Sequence, residues 1–127
     1  MADSQTDQAG PQRRRRAQGA KADRLQEALV SLDPTVARWA DEFVFGEVWA
    51  GEALAHRDRM LVAIAMLSAT TRRNQLRNYL HGALQDGIAE AELREIMKML
   101  VVYSGFPAAL EGMQELDAVL AVHGRHA

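Results

Sequence analysis

Residues 57–70 constrain this chain more than any other segment. Met60-Leu61-Val62-Ala63-Ile64-Ala65-Met66-Leu67 is apolar at every position, so a helix here has no polar face. A helix that is hydrophobic all round is surrounded by protein on every side. No apolar run approaches the ~20 residues that span a bilayer, so the segment reads as the centre of a fold and not as a membrane anchor. Yet the chain has only 127 residues, with three Phe, two Trp and two Tyr to wrap such a helix. A domain of this size has a limited core. More protein is needed around the segment, and self-association is the simplest supplier.

The rest of the chain has helical periodicity. Residues 21–30 place Leu25 and Leu29 at i, i+4. Asp33-Pro34 is a helix start, with Asp as N-cap and Pro at the first helical position. The helix that follows presents Val36, Ala40, Phe43 and Glu47 on one stripe, and Gly51 breaks it. Residues 74–86 show Leu76, Leu80, Ala83 and Leu84, with Gly87 as the C-terminal cap. Residues 91–104 carry Leu93, Ile96, Met97, Leu100 and Val101, and Gly105 and Pro107 end that helix. Residues 107–122 show Ala109, Met113, Leu116 and Leu120. No segment alternates over a strand's length. The reading is all-α, about six helices joined by short links, in one domain over 13–122. Residues 1–12 read as a disordered tail and 123–127 as a C-terminal tail.

Composition excludes several functions. There is no cysteine, which removes disulfides, thiolate metal sites and thiol redox chemistry. The start of the chain has no apolar stretch before Leu25 and does not read as a signal peptide; a cytoplasmic location is expected. Net charge is −2, split as +3 over residues 1–24 and −5 over the remainder. The Arg13–Arg16 run is shorter than a nucleic-acid arm and precedes an acidic body, so neither nucleic acid nor membrane is expected as a partner. The six Met read as core filler. The four His show no metal-ligand spacing, and no metal is expected.

Several polar residues sit where chemistry could use them. Glu47 continues an apolar stripe; it is either a carboxylate reaching water or a buried Arg, or a general acid–base with a raised pKa in an apolar pocket. Arg57 and Arg59 stand at the mouth of the apolar helix, as ordinary surface charge or, beside the helix N–H donors, as an anion site. Tyr79 falls on an inward stripe, as a core Tyr or as a hydroxyl donor to an oxyanion. His81 reads as a surface or interface His that could meet a ligand. Tyr103 precedes a Gly and Pro turn and could line a pocket. Arg72, Arg73 and Arg77 read as a solvated turn.

The order and spacing of Phe45-Gly46-Glu47-Val48-Trp49, Leu54 to Arg59, Tyr79-Leu80-His81-Gly82-Ala83-Leu84, Asp86-Gly87 and Tyr103-Ser104-Gly105-Phe106-Pro107-Ala108-Ala109 resembles the gamma-carboxymuconolactone decarboxylase family. The resemblance covers roughly residues 14–120. It implies an alkylhydroperoxidase D-like helical fold assembled as a homotrimer or homohexamer, and a lyase of aromatic catabolism that needs no cofactor. In the family reaction a carboxylate beside a lactone leaves as CO2, its electrons pass to the lactone carbonyl, and the dienolate is protonated. The resemblance assigns Glu47 as proton carrier, Arg59 as carboxylate grip and Tyr79 or Tyr103 as enolate donors. Arg15 and Arg16, matching an upstream Arg pair, join Trp49 and His81 as candidates for substrate binding. The sister branch, a thiol peroxidase, uses Cys-x-x-Cys and His at positions occupied here by Arg72, Gln75 and Tyr79, so that activity is excluded.

Two positions depart from the family pattern. Tyr79 stands where the family has His, and Gly51 where it has Arg. These departures leave open an isomerase, cyclase or dehydratase on another small molecule, and a non-catalytic helical scaffold.

Overall fold

The computed structural model describes residues 3–126, and the side chains of residues 8–123. Among the described residues there is no strand, and seven α-helices follow in order: α1 (Asp3–Gln18), α2 (Ala22–Leu32), α3 (Pro34–Trp39), α4 (His56–Ala69), α5 (Arg73–Gln85), α6 (Glu90–Tyr103) and α7 (Phe106–His126). A 3-10 turn, Gly19–Lys21, joins α1 to α2. α3 runs on as a π-helix through Ala40–Val48. No helix is long and apolar enough to cross a membrane among the described residues.

The six helices expected from periodicity are α2 to α7. α1 is the addition, and it corrects the reading of residues 1–12 as a disordered tail: from Asp3 onward they are helical, with Pro11 inside the helix. Gly10-Pro11 is a poor helix signal in isolation. The helix is held by what it packs on: Gly10 crosses the π-helix so closely that a Cβ there would lie 2.0 Å from the Asp41 carbonyl oxygen. Arg13 donates to the Phe45 carbonyl at 3.1 Å. Arg14, buried, donates to Asp41 at 2.7 Å and to the Ala22 carbonyl at 2.8 Å. At the other end α7 continues to His126 through the expected tail; residues 1–2 and 127 lie outside the described residues.

The caps form as the sequence dictates. The Asp33 side chain accepts from the Thr35 and Val36 N–H groups at 2.9 and 3.3 Å. Gly87 and Gly105 end α5 and α6 at φ +94° and +96°, a region that favours glycine.

The core joins α1 and the π-helix to α4 through α7. Ala17, Phe45, Met60, Ile64, Leu76, Leu80, Ala83, Ile88, Leu93, Met97, Leu116 and Val119 form one buried cluster. α4 departs from the expected all-round burial. Met60, Ile64 and Ser68 are buried, whereas Val62 and Met66 are 45% and 64% exposed. α5, α6 and α7 cover one side of α4, and Val62 and Met66 on the other stay exposed among the described residues. Met99, Val102, Tyr103, Phe106 and Leu110 extend this exposed apolar surface.

The π-helix corrects a second expectation. A stripe drawn at 3.6 residues per turn put Phe43 and Glu47 on the inner face. The wider turn after Ala40 changes the register: Ala37 and Phe45 are buried, while Val36, Phe43 and Glu47 are exposed.

Candidate active site

The π-helix delivers the central residue of the site. Trp49 follows its last turn, and the Trp49 N–H donates back five residues to the Val44 carbonyl at 2.9 Å. A π-turn re-aims the residues after it and is common at functional sites. The indole then stands in a row of rings. Its centroid is 5.3 Å from Phe45, 5.5 Å from His56 and 6.1 Å from Tyr79, each pair tilted.

One side of Trp49 opens into a pocket of about 310 Å3 lined by Ala9, Gln12, Arg13, Arg16, Trp49, Gly51, Leu54 and His56. α1 forms one wall. The loop from Trp49 to the first residue of α4 forms the other. Two guanidinium groups and an imidazole face this space, and among the described residues no carboxylate lines it. The nearest acid is Asp86, at the end of α5. It accepts from Arg16 Nε at 3.2 Å on both oxygens, and its Oδ2 lies 3.9 Å from His56 Nε2.

His56 is the most constrained of these groups. Its side chain is only 11% exposed, and Nε2 is buried with no hydrogen-bond partner. Burial pushes its pKa below the usual value of 6.5, the nearby Arg16 and Arg59 push the same way, and Asp86 opposes them. Its place at the first residue of α4 adds to this, because the positive end of a helix disfavours an imidazolium.

Arg59 and Tyr79 stand behind the pocket. Arg59 Nη2 donates to the Gly51 carbonyl at 2.7 Å, and a Cβ on residue 51 would come 2.6 Å from that same nitrogen. Glycine at 51 therefore makes room for the guanidinium. Tyr79 packs against the core and against Trp49. Burial raises the pKa of its phenol, partly offset by a hydrogen bond with the Gln18 side chain.

The structure thus gathers Arg16 and Trp49 at the pocket, with Arg59 and Tyr79 in support. It leaves four other candidates elsewhere. Glu47 is exposed, so the apolar pocket expected around its carboxylate is absent in the single chain. Tyr103 is 83% exposed and belongs to the apolar surface of α4 and α6, where it lines a separate groove of about 470 Å3 with Val62 and Met99. Arg15 pairs with Asp23 at 2.9 Å on the outer side of α1. His81 is buried, not at the surface, and its pKa is lowered by burial and by Lys21, His123 and Arg77.

His56 and Asp86 escaped sequence reasoning because each is unremarkable in its own helix. Arg73 and Arg77 are not simply solvated. Both donate to the buried carboxylate of Glu115 on α7, at 3.0 and 2.8 Å. Among the described residues no group of three or more His, Asp or Glu could hold a metal ion.

Comparison with known proteins places this geometry in context. The model of the carboxymuconolactone decarboxylase family matches residues 34–118. The chain is 31% identical over 96 residues, 76% of its length and 72% of the relative's, to the 4-carboxymuconolactone decarboxylase of Acinetobacter baylyi. It is 29% identical over 72 residues, 57% of its length and 50% of the relative's, to nitrosuccinic acid decarboxylase npaB of Metarhizium robertsii. α1, with Arg13 and Arg16, precedes the matched region.

Proposed function

The chain belongs to the carboxymuconolactone decarboxylase family, and from that premise we propose that it is a cofactor-independent lyase releasing CO2 from a small carboxylated substrate bound between α1 and Trp49. One observation carries the reading. In a chain of this family, Arg13, Arg16 and His56 converge on one pocket beside an indole face. Loss of CO2 needs cations to orient the carboxylate, an oxyanion stabiliser for the enolate, and a proton source. Arg13 and Arg16 supply the first, and guanidinium matches a carboxylate bidentately. Their positive field also favours the enolate oxygen as charge develops on it. Trp49 gives a flat face for a planar ring, and Tyr79 and Arg59 hold Trp49 and the 51–56 loop in place.

A lactone with two carboxylates fits the cation count and is the substrate named for the relative at 31% identity. The second relative is named for a nitro acid. Together with Tyr79 and Gly51 at altered family positions, that name supports a second reading: the same chemistry on a different small acid.

The chain acts, on this proposal, as a trimer or hexamer. The apolar surface from Val62 to Leu110, and the exposed Val36, Trp39, Phe43 and Val48 on α3 and the π-helix, support it. Val62, Met99 and Tyr103 share one apolar groove, and large exposed apolar patches mark association sites.

The test is an ultraviolet assay with enzymatically made 4-carboxymuconolactone and, in parallel, nitrosuccinate, with CO2 measured directly. Turnover of either establishes the lyase. A folded protein that turns over neither removes the reading.

A further inference from the structure

We infer that His56 is the proton donor of this site and is charged by the substrate itself: neutral in the empty pocket, it takes up a proton when an anionic substrate settles against Arg13 and Arg16. The inference rests on the lyase reading above and names the residue that reading lacks, since the family's His position is Tyr79.

Geometry carries the argument. His56 lines the pocket, with its ring held against Trp49 at 5.5 Å. Its Nε2 is buried and unpartnered. A buried polar nitrogen without a partner is costly, and the acceptor within reach of a protonated Nε2 is Asp86 Oδ2 at 3.9 Å. The charged groups around it come from every neighbouring element. α1 brings Arg16, its own helix brings Arg59, and the end of α5 brings Asp86.

In the empty site burial first, and then the cations Arg16 and Arg59, outweigh Asp86, which Arg16 already engages through both oxygens. A carboxylate on Arg16 changes that balance. It cancels the guanidinium charge beside the imidazole and weakens the hold of Arg16 on Asp86. Asp86 Oδ2 is then free to close the 3.9 Å gap to His56 Nε2. Every one of these changes favours the imidazolium.

The chemistry balances with this proton. The bond between the substrate's ring carbon and its carboxylate carbon breaks. CO2 departs, and the electron pair passes to the substrate's carbonyl oxygen. The substrate carbon then takes the Nδ1 proton of the imidazolium, the Nε2–H staying on Asp86, and His56 returns to neutral. One proton per turnover is drawn from water at the binding step and ends in the new C–H bond. A donor loaded only by substrate cannot be discharged between turnovers. Tyr79 does not compete for this role, because it packs on Trp49 and lines no part of the pocket.

The experiment is calorimetry of succinate binding at neutral pH in buffers of different ionisation enthalpy, on the wild type and on His56→Gln. The wild type should take up a substantial fraction of a proton per bound succinate, and His56→Gln should bind with no uptake. In the lyase assay, His56→Gln should lose roughly 100-fold or more in kcat, the range of acid–base catalysis, with KM changed little. A urea midpoint near that of the wild type shows that the variant is folded. Wild-type binding without proton uptake, uptake that survives in His56→Gln, or failure to bind succinate overturns the inference. Proton uptake without turnover of either lyase substrate would support the inference about the site and remove the lyase reading. Turnover that persists in His56→Gln would do the reverse.

Discussion

Gly82→Ala and Gly112→Ala are the same chemical change in two helices, and the structure separates them. At Gly82 on α5, a Cβ would lie 1.7 Å from the Ala17 carbonyl oxygen and 2.5 Å from its carbon, both backbone atoms of α1. Ordinary contact requires a separation of about 3.5 Å, so the end of α1 must retreat by well over an ångström. At Gly112 on α7 the obstacle is the Met97 thioether, with Sδ at 2.5 Å, the far end of a flexible side chain. Overpacking costs about 1–3 kcal/mol, and a backbone obstacle puts Gly82→Ala at the upper end. Replacing Gly by Ala inside a helix returns about 1 kcal/mol in both variants. The net expectation is a loss of about 2 kcal/mol for Gly82→Ala, and within about 1 kcal/mol of neutral for Gly112→Ala. At roughly 4 °C per kcal/mol for a domain of this size, the Gly82→Ala loss is worth about 8 °C in Tm. The measurement is urea or thermal unfolding at one fixed protein concentration, because association would shift the midpoint. Function adds a second readout: α1 carries Arg13 and Arg16, so its retreat should raise KM in Gly82→Ala and leave it unchanged in Gly112→Ala. Equal midpoints for the two variants would refute the steric reasoning.

Four further outcomes follow from the same contacts. Arg16→Gln should raise KM about 10-fold and lower kcat as well, since a charged hydrogen bond is worth about 1.5–3 kcal/mol before its solvent exposure is discounted and the same charge faces the developing enolate; steady-state kinetics decide it. Glu115→Gln should cost about 1–2 kcal/mol, because the amide keeps the oxygen that Arg73 and Arg77 share but loses the charge and sets an NH2 donor against Arg77 Nε, while the half-exposed Arg side chains recover part of the loss in water. The Glu115 carboxyl is held below its usual 4.5, first by its hydrogen bond from Arg77. Its stabilisation is therefore complete above pH 4.5 and vanishes as pH falls through the lowered folded value, so urea midpoints of the wild type and Glu115→Gln should converge in acid. His56 and His81 both sit below 6.5 through burial. The unfolded chain thus binds more protons as pH drops below 6.5, and the wild-type midpoint should fall between pH 7 and 5.5, before the carboxylates titrate. Val102→Glu, at a 75% exposed apolar position, should reduce the size of the assembly in light scattering; an unchanged mass would exclude this face as the contact.

Six helices were legible because their signals are local. Asp33-Pro34, Gly87, Gly105 and the i, i+3, i+4 stripes of α5 and α6 depend on neighbours a few residues away. What was not legible depends on distant partners. Gly10-Pro11 argues against a helix until Asp41 and Gly46 are placed beneath it. A π-helix turns more slowly than 3.6 residues per turn, so a stripe drawn at the α-helical period put Glu47 inward and did not single out Phe45. His56, Arg16 and Asp86 lie at three separate places in the sequence and become one cluster only when α1 folds over the end of α5. Glu115 neighbours the apolar stripe of α7 and gives no sign that two Arg from α5 meet it. Motif spacing pointed to Trp49 and Arg59, whereas the Arg13, Arg16 and His56 that line the pocket beside Trp49 come together only in the fold.

The two altered family positions, 79 and 51, are tied to each other by packing. Tyr79 braces Trp49 from behind, and Trp49 in turn holds the His56 ring at the pocket wall. The missing side chain at Gly51 leaves the space that Arg59 Nη2 occupies. A larger residue at 51 would displace that guanidinium and break its hydrogen bond to the Gly51 carbonyl. Restoring Arg at 51 alone should therefore damage the site, and restoring His at 79 alone would bury an imidazole where a phenol now packs. On the proposed mechanism the positions can revert only together with His56. On that proposal, His56 would supply the proton that the resemblance assigns to other polar groups of the family.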